Sequence, residues 1–94
     1  NSGGMWELKI SKQFKKDLKR YQNRPKQISQ LKKVLTMLRE NGIVSKEYKP
    51  HRLIGEYSAC MECHIESDTL LIWLDETENV IKLIRLGSHS ELFK

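Results

Sequence analysis

Met5-Trp6-Glu7-Leu8-Lys9-Ile10 alternates apolar and polar side chains in period two, the pattern of a half-buried strand. At Ser11, a suitable helix N-cap, the period changes. Phe14, Leu18 and Tyr21 recur at helical spacing among Lys12, Lys15, Lys16, Lys19 and Arg20, which predicts a short helix with a wet basic face. Asn23-Arg24-Pro25 breaks it, because proline disfavours helix in the residue before it and suits a new first turn. A second helix is predicted from about Lys26 to Glu40, with Ile28, Leu31, Val34, Leu35 and Leu38 on its buried stripe and Asn41-Gly42 as its stop.

From Ile43 to Gly55 no period is visible, and a connection of that length in a small domain is often functional. Glu56 to Ile65 alternates again. A strand there would turn Tyr57, Ala59, Met61, Cys63 and Ile65 to one face and Glu56, Ser58, Cys60, Glu62 and His64 to the other. Ser67-Asp68 reads as a turn, Leu70 to Leu74 as a central strand apolar throughout, and Asp75 to Asn79 as the turn into a last strand, Val80 to Leu86. Gly87 lets the chain leave the sheet. The fold expected is α+β: an N-terminal strand, a two-helix hairpin, a three-stranded antiparallel meander and a short C-terminal tail, forming one sheet packed on helices.

With 94 residues the chain makes one domain with a modest core. Asn1-Ser2-Gly3-Gly4 lacks the basic and apolar regions of a secretory signal and reads as an expression remnant, so the domain is taken as 5–94. No apolar window of about eighteen residues exists, so no membrane span is expected. Residues 1–50 hold 13 Lys/Arg against 4 Asp/Glu, and residues 51–94 hold 4 against 8. The basic half suits a polyanion, most simply nucleic acid. A sequence-specific DNA reader is disfavoured, since the outer face of the second helix offers lysine and glutamine rather than small polar readers.

Cys60 and Cys63 are too few to staple a secreted domain, and a reducing cytoplasm is expected. Cys60-Met61-Glu62-Cys63-His64 matches the c-type haem string C-x-x-C-H, and with His51 or His89 it would make a zinc set. Residues three apart on a strand point to opposite faces, which disfavours both. No cofactor is expected, with Cys63 a buried small hydrophobe and Cys60 a weakly exposed thiol.

RNA cleavage by its own 2′-hydroxyl needs a base, an acid for the departing 5′-oxygen and fixed positive charge for the phosphorane. Histidine and arginine supply all three near neutral pH without a metal. The chain has three histidines, His51, His64 and His89, each near a loop or strand end, with Asp68 and Arg85 close by in the predicted sheet.

Three separated stretches carry a family likeness: Tyr48-Lys49-Pro50-His51-Arg52-Leu53-Ile54-Gly55, Glu62-Cys63-His64-Ile65-Glu66-Ser67-Asp68, and Arg85-Leu86-Gly87-Ser88-His89-Ser90-Glu91-Leu92-Phe93. Together they resemble the YafQ branch of the RelE/ParE toxin superfamily. The resemblance implies a bacterial type II toxin: a ribosome-dependent endoribonuclease, or mRNA interferase, that cuts message in the ribosomal A site beside 16S rRNA and is restrained by a cognate antitoxin. It implies that His51 and His89 divide the acid and base work, that His64 and Asp68 orient or share protons, that Arg85 holds the scissile phosphate and that Phe93 positions a base. Lys12, Lys15, Lys16, Lys19, Arg20, Lys49 and Arg52 are the cations expected to hold RNA. Relatives commonly carry arginine where this chain has Met61, and some carry lysine at Ser58, so weaker cleavage, a different cut preference or a variant altered so that it can be produced is expected. The alternative is a non-catalytic module on the same scaffold, either a ParE-like gyrase inhibitor, which would not need three histidines, or a relic that binds only its antitoxin.

Overall fold

The computed structural model describes residues 5–77 and 79–93. Asn1 to Gly4, expected to be a remnant, lie outside them, as does Glu78 of the expected turn. The elements are β1 (Glu7–Ile10), α1 (Lys12–Arg20), α2 (Pro25–Asn41), β2 (His51–Arg52), β3 (Met61–Glu66), β4 (Thr69–Thr77), β5 (Val80–Gly87) and α3 (His89–Leu92). They build one five-stranded sheet in the order β1-β5-β4-β3-β2. The predicted meander β3-β4-β5 is antiparallel, and β1 joins its far edge in parallel, Glu7 opposite Val80 and Ile10 opposite Leu83.

Both helix starts follow from local chemistry. The Ser11 hydroxyl accepts the Phe14 backbone N–H at 3.0 Å, as an N-cap should, and Pro25 opens α2. Gly42 ends α2 in the left-handed conformation, φ 74°, donating its N–H to the Leu38 carbonyl at 2.9 Å. A β-carbon there would lie 2.6 Å from the Trp6 ring, so the position is closed to other residues on two counts.

The helices cover one face of the sheet. Phe14, Leu31, Val34 and Leu38 pack against Cys63, Ile65, Leu71, Trp73, Ile81 and Leu83 to form the main core. On the opposite face a smaller cluster of Cys60, Leu70, Ile72 and Leu92, flanked by Leu53, Tyr57, Leu74 and Ile84, is covered only by short segments.

Several boundaries differ from expectation. The strand predicted from Glu56 begins only at Met61, because Gly55–Tyr57 winds into a 3₁₀ turn and Ala59 takes φ 76°, which interrupts the pleat. The segment expected to be irregular contains β2, two residues long, paired His51 to Glu62 and Arg52 to Met61. β4 extends to Thr77, past the expected start of the turn. Cys60, expected to be weakly exposed, is buried in the smaller cluster, while Cys63 sits in the main core.

Candidate active site

Strand pairing aligns the chemistry-bearing residues on the face that the helices leave bare. Glu62, Ile72 and Arg85 are successive cross-strand neighbours, and so are His64, Leu70 and Gly87. Paired residues point the same way, so Glu62 and Arg85 stand two strand spacings apart, about 10 Å, with Ile72 as floor between them. The edges of this floor carry two groups of side chains.

At the β2–β3 edge stands the pair of histidines. The His51 Nε2 lies 3.0 Å from Glu62 Oε1 and its Nδ1 lies 3.0 Å from the Lys49 carbonyl oxygen. Both ring nitrogens therefore face oxygen atoms. Lys49 turns its carbonyl to the ring from a left-handed conformation, φ 54°. The His64 ring centroid is 6.3 Å from that of His51. Glu62 is buried, and among the described residues its Oε2 has no hydrogen-bond partner.

At the β5–α3 edge stands the cation with the tail. Arg85 donates Nε to Asp17 Oδ2 at 2.8 Å and Nη2 to Asp17 Oδ1 at 3.2 Å, and its Nη1 lies 3.4 Å from the Tyr57 hydroxyl. The bidentate Asp17 carboxylate outweighs desolvation and raises the Arg85 pKa further, so the guanidinium is a permanent charge. Tyr57 meets Phe93 edge-on at 5.9 Å between ring centroids, and Phe93 meets His89 at 5.0 Å. The His89 backbone N–H points to Asp68 Oδ1 at 3.4 Å.

The tail is held by a capping box: Ser88 Oγ accepts the Glu91 N–H at 3.3 Å, and Glu91 Oε1 accepts the Ser88 N–H at 2.8 Å. Tyr21 donates its hydroxyl to Glu91 at 3.4 Å, and Arg20 pairs with it at 3.3 Å, tying α3 to α1. The Ser88 N–H chiefly, with Arg20 assisting, holds the Glu91 carboxyl below its usual range.

All six residues expected to act on the phosphodiester thus border one face, but in two groups: His51 with His64 on one side, and Arg85, His89, Phe93 and Asp68 on the other. The cations expected to hold RNA are dispersed. Lys12, Lys15, Lys16 and Lys19 cluster on α1, within the helix layer of the opposite face. Arg20 is engaged with Asp17 and Glu91. Lys49 adjoins His64 in a shallow pocket of about 520 Å³ that also takes in Lys33 and Gln30. Arg52 is exposed on β2, and Met61 beside it packs against the main core, on the face of β3 opposite His64.

Sequence reasoning missed Asp17, Tyr57 and Glu62. Asp17 carried a signal, since it stands at helical spacing from Phe14 and Tyr21, on the buried stripe of a basic helix. Among the described residues no group of three or more His, Cys, Asp or Glu side chains is placed to hold a metal ion, and no helix is long and apolar enough to cross a membrane.

Residues 6–94 match the family described as the bacterial toxin of the type II toxin-antitoxin system, YafQ. The chain is 33% identical over 88 residues to the mRNA interferase toxin YafQ of Escherichia coli, spanning 93% of this chain and 95% of that protein. Among solved structures, the E. coli DinJ-YafQ toxin-antitoxin complex contains a chain of TM-score 0.81 and 32% identity, covering 96% of this chain and 99% of that one. A metal-bound toxin from Helicobacter pylori superposes with TM-score 0.81 at 38% identity, covering 95% of this chain and all of that one.

Proposed function

The chain belongs to the YafQ family of bacterial type II toxins, and from that premise we propose that it is a cytoplasmic, ribosome-dependent endoribonuclease that cleaves mRNA in the A site and is neutralised by a cognate antitoxin. The observation carrying this reading is the sheet face away from α1 and α2, where an imidazole pair and a fixed guanidinium stand on either side of the buried Ile72, about two strand spacings apart.

The scissile phosphate lies between the histidine pair and Arg85, with its non-bridging oxygens on the guanidinium. One of His51 and His89 removes the 2′-hydroxyl proton; the 2′-oxygen attacks phosphorus, the bond to the 5′-oxygen breaks, and the other histidine protonates that leaving group. The products are a 2′,3′-cyclic phosphate and a 5′-hydroxyl end. His64 and Asp68 orient these groups or share their protons, Phe93 supports a base, and the guanidinium takes up charge as the phosphorane forms. Lys49 and Arg52 meet the message beside the floor, while Arg20 and the lysines of α1 hold ribosomal RNA phosphates.

The test is to map RNA ends in a translating extract. The unaltered protein should produce new 5′-hydroxyl ends at codons in the A site, and His89→Ala should suppress them. Growth arrest without such ends, together with stalled gyrase in a supercoiling assay, would overturn the reading in favour of a ParE-like activity.

A further inference from the structure

Asp17 is the one acidic residue of α1, and its side chain is 0% exposed. Burying a carboxylate is costly unless every lone pair finds a donor. Here Oδ2 accepts both Arg85 Nε at 2.8 Å and the Leu86 backbone N–H at 2.9 Å, while Oδ1 accepts Arg85 Nη2 at 3.2 Å and lies 3.5 Å from Arg20 Nη2. The carboxylate is thus bolted to the backbone of β5 by the residue next to the arginine it orients.

This arrangement divides the guanidinium. Of its five N–H groups, Asp17 takes the Nε–H and one on Nη2, fixing the plane and removing rotation about the last side-chain bonds. At the opposite end Nη1 donates one N–H to the Tyr57 hydroxyl at 3.4 Å, and its other hydrogen with the remaining one on Nη2 is left for another acceptor. With only 17% of the side chain exposed, Arg85 presents little beyond that end. An unclamped arginine on an open sheet would sample several rotamers, and charge stabilisation in a transition state depends on donors already in place.

Resting on the ribonuclease reading above, we propose that Asp17 is a positioning residue for cleavage: it holds Arg85 so that its free Nη1/Nη2 end meets the scissile phosphate. Asp17 touches no substrate and acts through Arg85 alone. Asp17→Asn keeps the cation but sets an amide N–H₂ against donors that a carboxylate accepted, so one arm of the clamp opens. Long-range attraction for RNA stays, and alignment is lost. Cleavage should therefore lose kcat by about 10–100-fold, the scale of a displacement near 1 Å at a reacting centre, with KM shifting by less than about threefold.

The experiment is a double-mutant cycle of the full chain, Asp17→Asn and Arg85→Gln alone and together, scored as kcat and KM on programmed ribosomes, with a thermal melt of each variant. If Asp17 works through Arg85, Asp17→Asn costs less than about threefold in the Arg85→Gln background. An equal loss in both backgrounds, or a loss confined to KM, overturns the proposal. No cleavage by the unaltered protein overturns the ribonuclease reading instead. A second measurement needs neither turnover nor a stable variant: in ¹⁵N-labelled unaltered protein the Arg85 Nε–H should be protected from solvent exchange, and fast exchange there overturns the clamp.

Discussion

The two faces of the sheet are built from the same three central strands, yet they obey different rules. On the helix-covered face, Cys63, Ile65, Leu71, Trp73, Ile81 and Leu83 meet two amphipathic helices. That burial supplies most of the apolar stabilisation, at about 25 cal/mol per Å² removed from water. On the bare face a few apolar side chains make a floor, and the polar groups around it are anchored from the rim: His51 by Glu62 and the Lys49 carbonyl, Arg85 by Asp17, α3 by Tyr21 and Arg20. In so small a fold, then, the main core and the candidate site are separated by the thickness of one sheet, and α1 serves both. It buries Phe14 in the core and sends Asp17 to the Arg85 guanidinium and the Leu86 backbone N–H, on the part of β5 beyond its pairing with β1.

If this division holds, substitutions on the two faces should differ in kind. The largest contrast is expected for His89→Ala on the bare face, which should lower cleavage by about 10²–10⁴-fold while leaving the thermal midpoint unchanged within error. A parallel loss of stability in the melt would break the division. Next comes the covered face: Leu38→Ala, at a position 0% exposed, should cost about 2–5 kcal/mol in denaturant unfolding. Cleavage per folded molecule should stay the same.

The tail sharpens the contrast further, because it is held by a charge. Glu91 has a folded pKa below its ordinary 4.5, so its contribution is fully present above about 4.5 and fades as pH falls through the folded value. The stability difference between the unaltered protein and Glu91→Gln should therefore shrink as pH drops below about 4.5. A difference that is constant with pH would show that the capping box contributes nothing through charge.

Cysteine chemistry gives a smaller, face-independent check. Burial pushes the Cys63 thiol up to about 12 and raises that of Cys60 as well. Neither should be alkylated by iodoacetamide at pH 8 until denaturant is added. The smallest effect is expected from Met61→Arg. Its side chain belongs to the covered face, so cleavage should change by less than about threefold, in keeping with position rather than charge deciding which cations act.

Much of this architecture was legible in the chain. Period changes at Ser11 and Asn41 located both helices, and the alternating and apolar runs gave the meander. What escaped had physical reasons. β2 is two residues long and has no period to read. Tyr57, Ala59 and Met61 alternate as in a strand, but the left-handed backbone at Ala59 is not encoded by a glycine. Pairing of β1 with β5 in parallel joins residues 73 apart, such as Glu7 and Val80, beyond any local pattern. The candidate residues were picked out by type, whereas the neighbours that the fold sets against them were not. Asp17 reads as one more solvent charge until Arg85 is placed beside it, and Glu62 as one more polar strand position until His51 arrives on a neighbouring strand.

That union of first and last strands has a consequence for the cell that makes the toxin. A chain emerging from the ribosome can form its helices early, but β1 must wait for Val80 to Leu83 before it has anything to pair with, and Asp17 must wait for Arg85 and Leu86. Late closure of such distant contacts is slow relative to helix formation. The last contacts to close are therefore those around Arg85, so the part of the fold that carries the candidate site is completed only when the C-terminal strand has been made.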